Sequence, residues 1–347
     1  MISKSVFGES DRSVQCSVFS KNHSRITIRD PYSSTPILHY SRVYSLIVQI
    51  YEIQTPDEAA TCIDLGIDRI GSVVLSATEW KRPEIRDVIR LTEGTRTQNS
   101  LIPLFNTKDT LYRTMDYYRP HFVHFCESLT DGSEHMVDLE PFVELQREFK
   151  KEFPEIGIIR SVPVPQQGKA PRFPVLEIAK AFEAVTDAFL IDTWLGKEPV
   201  EGFVGITGKR VDADLAKNLV LHSTIPVILA GGLSPDNVHE ALVQIVPAGA
   251  DSCSHTNALD ARGVPVRFRK DFEKVQRFVQ EVRRTEVELR RRMKGLEEKL
   301  EGLRAELRDR EAALPAHSVR PHQILVIEDL EEKVALAEEE LRPFRWL

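Results

Sequence analysis

The sequence predicts an α/β protein: a closed (β/α)8 barrel, of the TIM type, with a disordered N-terminal arm and a C-terminal α-helical coiled-coil hairpin. Three observations predict it. Short apolar runs alternate with amphipathic stretches over residues 46–285, and the alternation repeats eight times. Strands separated by helices form parallel βαβ units, and eight such units in about 240 residues match the count and length of a closed barrel. After the last unit the pattern changes to leucine heptads among charged residues. An open doubly wound sheet is the alternative packing of the same units, and the regular count of eight favours closure.

Taken in order, residues 1–45 are serine-rich and weakly periodic, as in "SVFGESDRSVQCSVFSKNHSR". Small polar residues bury too little apolar surface to offset chain entropy, so a flexible arm is expected. Strands are read at "LIVQIYEI", "RIGSVVLS", "SLIPLFN", "HFVHFCE", "IGIIRSV", "DAFLIDT", "IPVILAGG" and "GADSCS". Helices are read in the stretches between them, for example "TPDEAATCIDLG" and "SPDNVHEALVQIV", with the last at 269–283. Leu289, Met293, Leu296, Leu300, Leu303, Leu307 and Leu314 keep 3–4 spacing except for a double step across Arg310. "LPAHSVRPHQ" breaks this helix with two prolines, and Leu330, Val334, Ala337 and Leu341 resume the pattern. Residues 286–347 are therefore read as an antiparallel hairpin, suited to self-association or to a protein partner, and as separable from a barrel at 46–285. His317 and His322 flank the turn, but two histidines without a third ligand make a poor zinc site, and no metal is expected.

The net charge of −7 argues against general nucleic-acid or membrane binding. No run of about 18 apolar residues is present, and the N-terminus has no secretory h-region. Cys16, Cys62, Cys126 and Cys253 form no CxxC pair, which fits reduced thiols in a cytoplasm.

Chemistry in such a barrel gathers at the carboxyl ends of the strands. The seventh ends "VILAGGLSPDN", where Gly231 and Gly232 leave backbone amides bare beside a helix start. Bare amides there form an anion site, typically for phosphate, and Ser254 in "GADSCSHTN" can add to it. A tight strand-to-helix turn is the alternative use of the glycines. The sixth strand ends at Asp192, followed by the glycine-punctuated "GFVGITGKRVD", long enough to fold over a ligand. Asp192 is a candidate general acid or base, or else a cap of that loop.

Together these stretches resemble phosphoribosylanthranilate isomerase. "LIDT" at 190–193, "GITGKRVD" at 205–212 and "LAGGLSPDNV" at 229–238 follow the family's patterns in order, and "GIDRIGSVV" at 66–74 is similar to its second unit. The resemblance implies an Amadori rearrangement of an N-linked ribose phosphate in tryptophan biosynthesis, with a phosphorylated small molecule as partner and no cofactor. It implies that Asp192 is the acid that opens the sugar, that Gly208, Gly231, Gly232 and Ser254 bind the ligand, and that Arg82 meets the anthranilate carboxylate. The family's first strand ends Lys-Ile-Cys-Gly-Ile-Thr, its cysteine removing the proton at carbon 2. This chain has "QIYEIQ" at 49–54, placing Tyr51 at the cysteine, Gln49 at the lysine and Glu52 at the glycine. Strand alternation would turn Glu52 toward the helices. On the fourth strand His124 and Cys126 depart from the family's Gln and His, and on the eighth His255 replaces a glycine.

Three readings follow: an isomerase whose base has moved to Cys126, His124 or a perturbed Tyr51; a diverged phosphate-binding barrel with other chemistry; and a non-catalytic barrel with a coiled-coil interaction module.

Overall fold

The structure, a computed structural model, describes residues 45–315, 318 and 320–347. The expected N-terminal arm, apart from its last residue, and His317 lie outside the described residues. Eight parallel strands close into a barrel in sequence order. They are β1 (Ile47–Ile50), β2 (Arg69–Val74), β3 (Gln98–Pro103), β4 (Phe122–Phe125), β5 (Gly157–Pro165), β6 (Ala188–Trp194), β7 (Val227–Leu229) and β8 (Gly249–Ser252). The ring closes where Gln49 of β1 stands opposite Asp251 of β8, with Arg69 of β2 on its other side.

Helices α1 (Pro56–Asp64), α2 (Pro83–Leu91), α3 (Lys108–Tyr118), α4 (Glu140–Glu152), α5 (Val175–Phe182), α6 (Ala213–His222) and α7 (Val238–Ile245) follow the first seven strands. Their starts are written locally. Thr55 accepts from Glu58 N ahead of Pro56, and Asp212 accepts from Asp214 N and Leu215 N. Each side chain satisfies amides that the first helical turn leaves unpaired. Because every strand is covered on both sides, its residues divide by parity. Tyr51, Ile159, Leu190, Ile228 and Ala230 fill the barrel interior. Val162, Phe189, Ile191 and Leu229 face the helices in the larger outer core.

The C-terminal part differs from the expectation in two ways. Ahead of the helix expected at 269–283, and reaching into its first two residues, lies a two-stranded antiparallel hairpin, β9 (Asn257–Leu259) and β10 (Pro265–Lys270). The helix α8 then starts at Phe272, capped by Asp271, and runs without a break to Ala312. It passes straight through the expected boundary at 285/286. α9 (Pro321–Leu341) packs back along it, and ion pairs Lys299–Glu340 and Arg304–Glu338 fix an antiparallel register. A 3-10 turn at Arg342–Trp346 brings the chain back to the barrel. Leu289, Phe344 and Leu347 are buried in the outer core. Glu286 accepts from Leu46 N and binds Arg283 and Arg290, while Arg345 donates to the carbonyls of Val220 and Ser223 at the end of α6. Among the described residues no helix is long and apolar enough to cross a membrane.

Removing residues 286–347 is therefore expected to expose outer-core surface, and Phe344→Ala alone should cost about 3–5 kcal/mol. Chemical denaturation of the full chain and of the variant checks this. An unchanged midpoint would show that the hairpin is an appendage.

Candidate active site

The site is built at the mouth of the barrel, where residues after the strand ends meet two adjoining cavities. The larger holds about 550 Å³, counting the part open to solvent, and is lined by Tyr51, Glu52, His124, Cys126 and Ser161 with apolar residues such as Ile102, Leu104 and Phe203. The smaller is lined by Gly208, Gly231, Gly232, Ser254 and His255. Asp192, Ile206, Asp251 and Cys253 line both and form their common wall.

The smaller cavity is walled by bare backbone amides. The N–H groups of Gly208, Gly231, Gly232 and Ser254 donate to no partner among the described residues. Gly231 and Gly232 have φ of +84° and +64°, the left-handed region that glycine enters at no steric cost. A Cβ on Gly232 would lie 2.7 Å from the Lys209 carbonyl carbon, so the glycine also lets the 208–210 loop approach. Asn237 Nδ2 donates to Gly232 O, and His255 Nε2 donates to Gly208 O, which ties the two loops in place.

Asp192 is partly exposed at the common wall. Burial by the surrounding protein pushes its carboxyl up to about 7, against the Thr193 N–H, which donates to it at 2.8 Å. The loop after β6 folds across it: Val204 N donates to Cys126 O, and Gly205 passes so close that a Cβ there would lie 2.3 Å from Asp192 Oδ2.

The three bases proposed from sequence all face the larger cavity, and burial shifts each of them. The Tyr51 hydroxyl is hydrogen-bonded to Ser100 Oγ at 2.8 Å and His124 Nδ1 at 2.6 Å, and burial raises the phenol well above its ordinary value. His124 Nε2 is bonded to Ser161 Oγ at 2.8 Å, and burial, with the Arg160 and Arg69 charges, drives the ring down to about 3. Burial pushes the Cys126 thiol up.

Glu52 departs from the expectation. The strand ends at Ile50, and Glu52 adopts φ +65°, so alternation no longer sets its direction, and it lines the larger cavity. Its carboxylate accepts from Arg267 Nε (2.7 Å), Asn257 Nδ2 (3.0 Å) and Phe268 N (3.2 Å). Burial alone would raise its pKa, but these bonds outweigh it and hold the carboxyl below its ordinary range. Arg82 is also displaced from its expected place. It caps α2, its N–H donating to Tyr118 Oη at 2.7 Å, and lines neither cavity. Trp80 packs edge-on against Tyr117.

Asp251 was missed. It sits one strand-pair step from Gln49, whose Nε2 donates to its Oδ1 at 3.0 Å. Burial pushes its carboxyl up to about 8. The available signal was an aspartate inside the short apolar run "GADSCS", two positions before Cys253 on the inward parity.

The profile of the family described as N-(5'-phosphoribosyl)anthranilate (PRA) isomerase matches residues 143–281. The N-(5'-phosphoribosyl)anthranilate isomerase of Methanosarcina acetivorans is 32% identical over 240 residues, covering 68% of this chain and 92% of that protein. This chain belongs to the phosphoribosylanthranilate isomerase family. The family member from Methanocella arvoryzae is 28% identical over 246 residues, covering 68% of this chain and 97% of its own. Among solved structures, phosphoribosyl anthranilate isomerase from Thermotoga maritima matches with a TM-score of 0.50 at 20% identity, over 68% of this chain and 98% of that one, a likeness of fold. The profile ends within α8, and the rest of that helix and α9 lie beyond it.

Gly232→Ala is expected to weaken phosphate-ester binding at least about tenfold by closing the amide cradle. Isothermal calorimetry against the wild type reads this, and equal affinity would place the anion elsewhere.

Proposed function

We propose that the chain is an N-(5'-phosphoribosyl)anthranilate isomerase, converting the N-linked ribose phosphate to its ketose by an Amadori rearrangement in tryptophan biosynthesis. The observation that carries this reading is the common wall. One cavity offers bare amides to a phosphate, the other offers an apolar surface to an aromatic ring, and two carboxyls stand between them. A phosphoribosyl group joined to an aniline spans that arrangement with its reacting carbons beside Asp192 and Asp251. Anchoring both ends converts the proton transfers into steps between fixed partners.

Asp192 acts as the acid. A carboxyl near 7 retains its proton in a substantial fraction of molecules at neutrality and can deliver it to the ring oxygen. Ring opening leaves a protonated imine between carbon 1 and nitrogen. The anthranilate carboxylate meets Arg82 by inward movement of the segment 75–82, in which no residue is buried. The reaction uses a water-soluble phosphosugar, in keeping with a cytoplasmic enzyme. Ile324, Leu325 and Val326, exposed near the tip of the hairpin, supply the surface for self-association or a protein partner.

A second reading has one observation in its favour. Among the described residues neither Lys nor Arg lines either cavity, which suits a substrate lacking the aromatic carboxylate.

Complementation of an isomerase-deficient tryptophan auxotroph tests the first reading. Growth is expected with the wild type and not with Asp192→Asn, whose turnover should fall by about 10²–10⁴. Failure of the wild type to support growth, with phosphate-ester binding intact, would favour the second.

A further inference from the structure

The Tyr51 hydroxyl is engaged by two partners, Ser100 and His124. Both nitrogens of His124 are engaged, by Tyr51 and Ser161. These groups, with Cys126, line only the larger cavity, away from the amide cradle. The titratable groups at the common wall are Asp192, Asp251 and Cys253. Asp192 is used as the acid.

Resting on the functional reading above, we propose that Asp251, on β8, is the general base of this isomerase and replaces the proton-accepting role lost at position 51. Asp251 and Asp192 come from different strands and face the same space, the arrangement that an acid and a base acting on one sugar require. One oxygen of Asp251 is fixed by Gln49 Nε2, and Gln49 Oε1 in turn accepts from Arg69 at 3.4 Å. The other oxygen has no hydrogen-bond partner among the described residues.

The step balances without an oxidant. After ring opening, the Asp251 carboxylate takes the proton from carbon 2. The carbon–hydrogen pair becomes the carbon 1–carbon 2 double bond, and the iminium π pair returns to nitrogen. The resulting enolamine becomes the ketone by loss of the hydroxyl proton at carbon 2 and gain of one at carbon 1.

Position 49 supports the assignment. The family pattern has lysine there, and a cation beside a carboxylate holds it ionised and makes it a weaker base. Glutamine keeps the orienting hydrogen bond without the charge. Besides Gln49, the groups acting on Asp251 are Asp192, which raises its pKa, and Lys270 and Arg69, which lower it. Burial dominates them, and a carboxyl near 8 is a far stronger base than an ordinary aspartate. Two changes in the first strand thus act together: Tyr51 removes one base, and Gln49 strengthens another.

The test uses the full chain and phosphoribosyl anthranilate. Asp251→Asn should lower kcat at least about 100-fold while KM moves little. Gln49→Lys lowers the basicity of Asp251 and should move the pH optimum of kcat/KM to lower pH, an effect that a purely structural role would not produce. It also carries the test if Asp251→Asn does not fold. Wild-type kcat in Asp251→Asn, or an unmoved optimum in Gln49→Lys, overturns the assignment. A wild type that binds phosphate esters yet turns over no substrate overturns the isomerase reading itself, and the assignment with it.

Discussion

The Tyr51 hydroxyl, held between Ser100 and His124 inside the barrel, sets the floor of the site. The ring fills the space over Gly71, where a Cβ would come within 2.0 Å of it, so β2 must carry glycine at that level. Its bond to His124 fixes the imidazole, and the imidazole fixes Ser161 on β5. Four strands are joined across the interior by one chain of side-chain hydrogen bonds. A fully satisfied buried network rigidifies its surroundings, and leaving one member unpaired would cost about 1–3 kcal/mol. The same bonds engage the Tyr51 hydroxyl and both nitrogens of His124. The common wall, where Asp192 and Asp251 stand, holds titratable groups outside this network.

The electrostatics of the mouth follow from that placement. Two carboxyls at one wall are each pushed toward neutrality by burial, and Asp192 adds to the shift on Asp251. An uncharged Asp192 can share a small space with a phosphate that its ionised form would repel, while Asp251 must be ionised to accept a proton. The bare amides of the smaller cavity add no counter-ion. Glu52 is the exception among the acids. It occupies a left-handed conformation at the position where the family pattern has glycine, at a cost of order 1–3 kcal/mol. Three hydrogen bonds from the β9–β10 hairpin and Asn257 hold it there. An arginine-paired carboxylate is a weak base, so Glu52 shapes the cavity more readily than it takes a proton.

The barrel was legible because eight apolar runs and their amphipathic partners each carry a strong period. That Gly231, Gly232, Gly208 and Asp192 would gather at the mouth was legible because the glycines punctuate the loops there and Asp192 ends an apolar strand. Glu52 was not, since period 2 applies only while the strand lasts and the chain turns left-handed just after Ile50. The β9–β10 hairpin was missed because its strands are short, and the charged residues from 269 onward read as the start of the last helix. The length of α8 was missed because a heptad seam and a barrel-facing stripe merge without a helix-ending residue between Val282 and Leu289. Arg82 was placed by analogy of loops, and loop position is set by packing, here of Trp80 and Tyr118, which a single sequence does not display.

The account depends on where a bound sugar lies between the two carboxyls. A crystal structure with reduced 1-(o-carboxyphenylamino)-1-deoxyribulose 5-phosphate reads this directly. The account predicts the phosphate on the amides of Gly208, Gly231, Gly232 and Ser254, and carbon 2 within about 3–3.5 Å of an Asp251 oxygen, with Asp192 on the side of the ring-derived hydroxyl. Carbon 2 against Tyr51 and remote from Asp251, or a phosphate bound away from the glycine loops, would contradict it.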